Sequence, residues 1–165
     1  MALSKKITNY LNGKNYKYDV VEHKTTYTAW DTAQTEKVKP AQVSKALVIK
    51  VDNDYVLALL TSGKNLDKKK LLKIINAKRK KNGLKNYKKI DLAKEAWMKK
   101  NLLGKVGAVP PFSALLKKDV YMDNLLAKNK KIYVGSGEYT SSLLINVSQY
   151  LKIENPIRGS FSVKK

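Results

Sequence analysis

The sequence predicts one α/β (α+β) domain built on a mixed β-sheet, and three observations support this. The chain has 165 residues and no Pro-, Gly- or Ser-rich linker, and about 150 residues is a typical length for one domain. Its hydrophobic content of 43% argues against general disorder. Helix-like and strand-like patterns also mix without the strict strand–helix–strand rhythm of a doubly wound fold, which favours a mixed sheet.

The N-terminal part predicts a strand and a short helix. Residues 1–15 are polar and are compatible with a helix or a loose arm, whereas residues 16–21 alternate as in a strand. Thr28 has a side chain suited to an N-cap, for a helix that runs to Lys37. Pro40 then interrupts the helical pattern.

The next segment predicts a β-hairpin. Two apolar runs, Ala46–Val51 and Tyr55–Leu60, are joined by the turn-forming side chains of Asp52-Asn53-Asp54. This arrangement is typical of two antiparallel strands with a loop of about three residues.

Two helices are predicted after the hairpin. Asn65 or Asp67 caps the first helix, which continues to about Lys78 and ends before the turn at Asn82-Gly83. Asp91 is expected to begin the second helix, because apolar side chains recur on one face after it.

The C-terminal half predicts a loop, two short strands and a final helix. Segment 104–111 contains two glycines and two prolines, so it is expected to be an ordered loop. Val120-Tyr-Met and Ile132-Tyr-Val have strand composition, whereas Ser141–Ile153 indicates a strand or turn followed by a helix.

The charge of the chain favours a polyanionic partner. Thirty-four Lys and Arg residues against thirteen Asp and Glu residues give a net charge of +21, and only Arg79 and Arg158 are arginines, so 34 − 2 = 32 are lysines. Lysine suits phosphate contacts better than base-edge recognition. Nucleic-acid binding would therefore be directed at the backbone and weakened by salt. A compositional excess of solvated lysines explains the same charge.

Composition also excludes several classes of site. The chain has no cysteine, which excludes disulfides, thiol nucleophiles and cysteine-based metal sites. It has one histidine, His23, so multi-histidine metal sites are also excluded. The N-terminus lacks the apolar stretch of a signal peptide, and the longest apolar run, Tyr55–Leu60, is too short to span a bilayer. We therefore expect a soluble, cytoplasmic protein that does not partner a membrane.

The loop Gly107-Ala108-Val109-Pro110-Pro111-Phe112 is the first candidate for chemistry. The two prolines stiffen it, while Gly107 permits close approach and Gly107, Ala108 and Val109 retain their N–H groups. Such a loop can bind an anion or an oxyanion. A rigid turn that packs Phe112 into the core explains the same residues.

Three ionisable residues are weaker candidates. Lys45 precedes a buried strand, so its ammonium could reach a carbonyl or phosphate. His23 has no serine partner at a recognisable spacing and suits a structural or surface role. Asp123 is suited to capping the following helix or, less simply, to acting as a base.

Trp30 and Trp97 could stack bases, although Trp97 lies on a predicted apolar stripe.

Taken in order, these segments resemble the YbaK / prolyl-tRNA synthetase-associated domain family, whose members are editing domains that clear mischarged tRNA. The resemblance extends over about residues 16–156 of an expected single domain, 1–165. The segments that carry it are His23-x₄-Thr28, Pro40-x-Gln-Val-x-Lys45-x-Leu-Val, Tyr55–Leu60, Leu66-Asp67, Leu92-Ala93, Gly107–Phe112, Val120-Tyr-Met-Asp123 and Val134–Gly137.

The resemblance implies a barrel-like, curled sheet flanked by helices, with no metal or nucleotide cofactor. It also implies hydrolysis of the ester between an amino acid and the terminal adenosine of tRNA, with tRNA for proline the expected carrier. The partners would be the acceptor stem and aminoacylated 3′ end of tRNA and, by extension, prolyl-tRNA synthetase. The implied catalytic residues are Lys45, Gly107, Ala108 and Val109; the implied substrate-binding residues are His23, Thr28, Pro110, Pro111, Phe112, Asp123, Gly135, Ser136 and Gly137.

The chain departs from the family pattern at Ala46, Lys105, Val106 and Ser113, which bears on substrate choice more than on reaction type. Two other functions remain open at this stage. One is a non-catalytic, lysine-rich nucleic-acid binder, and the other is an editing domain that has become a docking module for a synthetase.

Overall fold

The computed structural model describes residues 3–165 and contains seven helices, one 3-10 turn and ten strands in that range. The helices are α1 (Lys5–Gly13), α2 (Ala29–Glu36), α3 (Lys68–Lys81), α4 (Glu95–Asn101), α5 (Ser113–Leu116), α6 (Asn124–Ala127) and α7 (Val147–Glu154), and the 3-10 turn is Pro40–Gln42. The strands are β1 (Tyr18–Glu22), β2 (Ser44–Val51), β3 (Asp54–Thr61), β4 (Lys64–Leu66), β5 (Ile90–Leu92), β6 (Val120–Asp123), β7 (Lys131–Gly135), β8 (Ser141–Asn146), β9 (Ile157–Gly159) and β10 (Ser162–Lys164).

The strands form a mixed five-stranded sheet and two smaller antiparallel sheets. The large sheet has the order β5-β2-β3-β6-β9, in which β2 is antiparallel to both β5 and β3, whereas β6 is parallel to β3 and β9. The other sheets have the orders β1-β8-β7 and β10-β4. The predicted mixed α/β fold is therefore confirmed.

The two larger sheets meet at the start of β2. A parallel bridge joins Val43 to Tyr133, and the Ser44 hydroxyl donates a hydrogen bond of 2.9 Å to the Tyr133 carbonyl oxygen. This contact joins the two sheets, but the pairing of the described strands does not continue into a closed barrel.

Each face of the large sheet covers a separate hydrophobic cluster. Val48 and Leu57 pack between the two larger sheets, with side chains from α1 and α7. Ile49 and Val51, which alternate with Val48 along β2, pack on the opposite face against α3. Each fully buried aliphatic side chain contributes about 1.5–3 kcal/mol. Alternation along β2 therefore decides which side chains face α3.

The predicted hairpin is present, with a shorter turn than expected. Val51 pairs with Asp54, which leaves a two-residue loop of Asp52 and Asn53. Asp52 adopts a left-handed conformation with φ 53°, which Asp tolerates because its short side chain can hydrogen-bond locally. Its carboxylate accepts hydrogen bonds from the N–H groups of Lys88 and Lys89.

Three helix caps follow the sequence prediction. The side chains of Thr28, Asp67 and Asp123 accept hydrogen bonds from the N–H groups of Asp31, Lys70 and Leu125 respectively. They begin α2, α3 and α6 by satisfying amides that have no partner within the helix.

The prediction of a helix beginning at Asp91 is wrong. Asp91 lies in β5 and pairs with Lys50 of β2, and α4 begins only at Glu95. Pairing with β2 satisfies the backbone of β5, which outweighs the helical pattern of apolar side chains.

Both ends of the described range pack onto the domain. Ile7 and Leu11 of α1 are buried, and Phe161, next to β10, is fully buried. No helix within residues 3–165 has the length and apolar content needed to cross a membrane.

Candidate active site

Lys45 is the second residue of β2, and its position in the sheet directs its side chain. It pairs with the fully buried Leu60 and shares the alternation of Ile49 and Val51, so it lies on the α3 face of the sheet. No carboxylate within residues 3–165 forms an ion pair with it. Burial and, to a smaller extent, the charge of Lys165 hold the pKa of Lys45 below its usual value of 10.5.

A cavity of about 370 Å³ lies in front of Lys45. Its walls come from the start of α2, from β2, from the proline-containing loop and from the segment after β10. The residues that line it are Thr28, Ala29, Trp30, Lys45, Ala46, Leu47, Ser62, Gly107 and Lys165. The structure thus brings together Thr28, Lys45 and Gly107, three of the residues predicted from the sequence.

Gly107 contacts the segment that precedes α2. Its φ is +88°, and a Cβ atom at this position would overlap the carbonyl oxygen of Tyr27. Both features require glycine, because other residues rarely adopt this φ and any side chain would push the two segments apart. The close approach holds Gly107 at the edge of the cavity.

The glycine-containing turn after β7 supports the loop from the other side. The Gly137 N–H donates a hydrogen bond of 2.7 Å to the Ala108 carbonyl oxygen, and Lys105 N–H donates one of 3.0 Å to the Gly137 carbonyl oxygen. A Cβ atom on Gly135 would lie 2.5 Å from the Val109 carbonyl oxygen. The turn and the loop therefore pack main chain against main chain.

The three predicted amide donors differ in availability. Ala108 N–H donates a hydrogen bond of 2.9 Å to the Lys105 carbonyl oxygen, so this amide is used within the loop, and its implied catalytic role stays a prediction. Within residues 3–165, Gly107 N–H and Val109 N–H form no hydrogen bond. Gly107 lines the cavity, so its N–H is available to an anionic oxygen there, whereas Val109 is buried and does not line the cavity.

The second half of the loop belongs to the core. Phe112 is fully buried. The centroid of its ring lies 5.4 Å from that of Tyr16 and 6.1 Å from that of Tyr150. Pro110 and Pro111 are also buried, and the Pro111 carbonyl oxygen accepts a 2.5 Å hydrogen bond from the Tyr150 hydroxyl. These three residues anchor the loop in the core, and their implied contacts with substrate stay a prediction.

Asp123 also has a structural role. Its carboxylate is 1% exposed and accepts hydrogen bonds from Leu125 N–H, from Phe161 N–H and from both the N–H and the hydroxyl of Ser162. These bonds connect β6 to β10 and to the start of α6. The substrate-binding role implied by the family resemblance stays a prediction beside this structural one.

A narrow cleft of about 20 Å³ lies beside the main cavity, which is space for about one water molecule. Thr28 and Gly107 line both spaces, and Gly135 lines the cleft. Ser136 lies behind this wall and donates a hydrogen bond of 2.9 Å to the Ser141 carbonyl oxygen. The cleft therefore shares lining residues with the cavity and also contacts Gly135, where the glycine-containing turn begins.

His23 has a serine partner that the sequence did not reveal. His23 Nε2 lies 2.9 Å from Ser142 Oγ, and Nδ1 lies 2.8 Å from the Lys24 carbonyl oxygen. Since a carbonyl oxygen only accepts, we assign the proton to Nδ1 of the neutral ring, and the Ser142 hydroxyl then donates to Nε2. Ser142 lines the narrow cleft. The pair is separated by 119 residues, so no local spacing could have indicated it.

The departures from the family pattern lie at different distances from the cavity. Ala46 lines it, whereas Ser113 donates hydrogen bonds to Glu154 and to the Lys118 carbonyl oxygen at the buried end of the loop. Lys105 forms an ion pair of 3.0 Å with Glu138. Ala46 is therefore the departure that bears most directly on what the cavity can hold.

The arrangement suits binding and hydrolysis of a substrate with an anionic or polarised oxygen. A half-buried ammonium, that of Lys45, and the free Gly107 amide belong to residues that line one cavity, where removal of water strengthens electrostatic interactions. Within residues 3–165, no three His, Cys, Asp or Glu side chains lie close enough together to bind a metal ion.

Comparison with known proteins places this arrangement in a family. The model of the aminoacyl-tRNA editing domain matches residues 23–153. The hypothetical protein APE2540 has a similar structure, with a TM-score of 0.80 and 17% identity over 96% of this chain and 100% of that chain. A candidate trans-editing enzyme for prolyl tRNA synthetase gives a TM-score of 0.74 and 18% identity over 98% of this chain and 99% of that chain.

No curated protein sequence matches the chain significantly. At 17–18% identity, the similar structures show a shared fold. The family match, in contrast, includes His23, Lys45 and the whole loop up to Phe112. Because it extends over most of the sequence, the chain belongs to the aminoacyl-tRNA editing domain family.

Proposed function

We propose that the protein is a trans-editing deacylase that hydrolyses the ester bond of mischarged tRNA. The observation that carries this proposal is that Lys45 and Gly107 line the same cavity. The family match supports the reaction class. The description of a similar structure as a candidate trans-editing enzyme for prolyl tRNA synthetase supports tRNA for proline as the carrier. We propose that its amino acid is small and non-cognate.

The proposed reaction begins with the ester inside the cavity. The Lys45 ammonium faces the carbonyl, and the Gly107 N–H donates a hydrogen bond to the oxygen that becomes negative when water attacks. An aminoacyl ester is already activated, so positioning and stabilisation of this oxyanion are the main requirements. Loss of one oxyanion donor typically lowers kcat by about 10²–10³-fold.

The tetrahedral intermediate then breaks at the bond between the carbonyl carbon and the ribose oxygen. The attacking water loses one proton, and the leaving ribose oxygen gains one. The vicinal ribose hydroxyl or a second water relays this proton, and the narrow cleft beside Gly107 has space for about one water molecule. The products are the free amino acid and tRNA with its terminal hydroxyl restored.

The dimensions of the cavity supply the proposed selectivity. Ala29 and Ala46 form small apolar walls, while Thr28 and Ser62 contribute polar ones. We propose that the part of the cavity beside Ala29 and Ala46 holds the acyl group and favours a short side chain, as in the second site of a double sieve. We propose that alanine, serine, cysteine or threonine is removed.

Deacylation of tRNA for proline, charged separately with each of these four amino acids, tests the proposal. We expect release of at least one amino acid, and we expect Lys45→Ala to reduce the rate by about 10²–10³-fold, as for the loss of an oxyanion stabiliser. Lys50→Ala is the matched control, because Lys50 is an exposed lysine on the same strand. Absence of release from all four substrates, or equal effects of the two substitutions, would contradict the proposal.

A non-catalytic RNA-binding role is the second candidate, and the charge of α3 favours it. Lys69, Lys73 and Lys80 are exposed along this helix, and none forms an ion pair with the described residues. This role predicts salt-dependent binding to many RNAs without ester hydrolysis. The same Lys45→Ala variant distinguishes the two functions, since RNA binding alone gives Lys45 no greater weight than a surface lysine.

We further propose that the chain acts as one domain and that prolyl-tRNA synthetase is a partner. The packing of α1 and of the segment around Phe161 onto the core supports the first point. Co-purification with the synthetase tests the second. Co-purification without deacylation would identify a docking module in place of an editing enzyme.

A further inference from the structure

Trp30 lies at the cavity with much of its ring accessible. It is the second residue of α2, keeps 43% of its surface exposed and lines the same cavity as Lys45. The other tryptophan, Trp97, is stacked on Tyr55 with a centroid separation of 3.5 Å and an interplanar angle of 11°. Thus one indole packs within the domain and the other is presented at the candidate site.

Lys165 places a second ammonium beside this indole. Its Nζ lies 4.3 Å from the centroid of the Trp30 ring, and it also lines the cavity. Lys165 is close enough to Lys45 for its charge to disfavour the Lys45 ammonium. Within residues 3–165, neither lysine has an ion-pair partner. Two ammonium groups without a counter-ion beside an exposed indole suit a ligand that has both an aromatic ring and an anion.

We infer that Trp30 and Lys165 form a subsite for the 3′-terminal nucleotide of tRNA, in which the adenine stacks on the indole and the 5′-phosphate pairs with the Lys165 ammonium. This inference rests on the proposed function. Stacking on an aromatic side chain is a general way to hold an unpaired base, and a lysine acts on phosphate as a point charge.

The dimensions of one nucleotide agree with this assignment. The base, the 5′-phosphate and the esterified hydroxyl all belong to the same nucleotide, so their binding groups must lie within one small space. Trp30, Lys165, Lys45 and Gly107 line a single cavity of about 370 Å³. The base and phosphate can therefore be bound at its mouth while the ester extends towards Lys45 and Gly107.

A double-mutant cycle on binding tests the stacking contact. The ligands are two uncharged RNA minihelices, one ending in CCA and one with an abasic residue in place of the terminal adenosine. We expect Trp30→Ala to weaken binding of the first by about 5- to 150-fold, the range for loss of one base–aromatic stack, and to leave binding of the second almost unchanged. Trp30→Phe retains an aromatic plane and should recover most of the affinity. Equal weakening of both minihelices would overturn the inference and indicate that Trp30 instead forms a wall of the acyl pocket.

Tryptophan fluorescence gives a second readout. In a Trp97→Phe variant, Trp30 is the remaining tryptophan, and we expect the CCA minihelix to quench its emission more than the abasic one does. Equal quenching by the two minihelices would contradict stacking.

The role of Lys165 is tested through salt dependence. Lys165→Gln should reduce the slope of log Kd against log salt by about one unit, as expected when one lysine–phosphate pair is removed. Lys164→Gln, a neighbouring exposed lysine, should leave the slope unchanged. Equal slopes for the two variants would contradict the contact between Lys165 and the phosphate.

The inference and the proposed function fail separately. All three binding experiments use RNA that carries no amino acid, so they do not require ester hydrolysis. If the effect of Trp30→Ala depends on the terminal base but no amino acid is released, the subsite is supported and the deacylase is contradicted. If amino acid is released but the effect of Trp30→Ala does not depend on the base, the deacylase is supported and the subsite is contradicted.

Discussion

Gly107 contacts Tyr27 through the main chain, so closely that a Cβ atom on Gly107 would overlap the Tyr27 carbonyl oxygen. This contact joins the proline-containing loop to the segment that leads into α2 through Thr28. Both segments contribute to the cavity in front of Lys45. The relative position of two cavity walls therefore depends on the absence of a side chain at Gly107.

Gly107→Ala is expected to destabilise the fold and to impair the candidate site together. Its φ of +88° is unfavourable for alanine and costs about 1–3 kcal/mol, and the overlap with Tyr27 adds to this. Thermal unfolding and deacylation both measure the effect. Gly13→Ala is the control, since a Cβ atom there meets no atom within 4 Å. A melting temperature unchanged by Gly107→Ala would contradict the contact.

Lys45→Met should stabilise the protein at neutral pH, with a gain that shrinks as the pH rises. Burial lowers the pKa of Lys45 in the folded state, so between that pKa and the ordinary value of 10.5 the unfolded chain binds more protons than the folded one. The free energy of unfolding of the wild type therefore increases as the pH rises through this window. Methionine has no ionisable group, so the Lys45→Met variant lacks this increase and its advantage over the wild type shrinks.

Melting temperatures of the wild type and Lys45→Met at pH values from neutral to 10.5 measure this difference. Lys50→Met, at an exposed position of the same strand, is the comparison. A stabilisation by Lys45→Met that does not vary across this range would show that the gain comes from hydrophobicity alone.

Glu154 is expected to contribute strongly to stability, because it anchors the buried end of the loop. Its carboxylate is 9% exposed and accepts hydrogen bonds from the hydroxyls of Tyr10 and Tyr16 and from Ser113 N–H. Burial and the hydrogen bond to Glu154 raise the pKa of Tyr16, so its hydroxyl remains a donor at neutral pH. Glu154→Ala leaves these donors without an acceptor and should cost about 2–3 kcal/mol.

Urea unfolding measures this reduction in stability. Glu154→Gln retains one acceptor oxygen in a side chain of the same shape, so it should cost less than Glu154→Ala. An equal cost for both variants would assign the effect to the charge rather than to the hydrogen bonds.

The exposed lysines of α3 are expected to contact the phosphate backbone of tRNA. Lys69 and Lys73 are four residues apart on this helix and line one groove, and Lys45 lies on the face of the sheet that α3 covers. Replacing both lysines of α3 by glutamine should reduce the slope of log Kd against log salt by about 0.7 to 0.9 for each phosphate that the protein no longer neutralises.

Lys17 and Lys131 provide a control with the same change in net charge. Both are exposed and lie beside the three-stranded sheet, where they line a different groove. Their replacement by glutamine should change the slope less. Equal slopes for the two double variants would mean that α3 has no special role in RNA binding.

The elements that the sequence predicted correctly depend on local interactions. The apolar runs around Asp52 and Asn53 form the hairpin, and the capping residues Thr28 and Asp67 begin the helices that they were expected to begin. In each case the hydrogen-bonding groups lie within a few residues of one another, so the pattern alone identifies the element.

The elements that the sequence did not predict depend on distant partners. Asp91 lies in a strand because β2 pairs with it, and β4, β9 and β10 each have three residues, too few to show an alternation. The same reason applies at the site. Neither the bond between His23 and Ser142 nor the use of the Ala108 amide within the loop has a local signal in the sequence.

The packing of Gly135 and Gly137 against the loop has a consequence for how substrate preference can evolve. The amide donors are held by backbone atoms, whereas the nearby walls at Ala29 and Ala46 are formed by side chains. Under the proposed function, a substitution in a wall can alter which amino acid fits while the donors keep their positions. In the proposed enzyme the reaction therefore depends on backbone atoms and the choice of amino acid depends on side chains. A mutation can change the preferred amino acid without loss of the reaction.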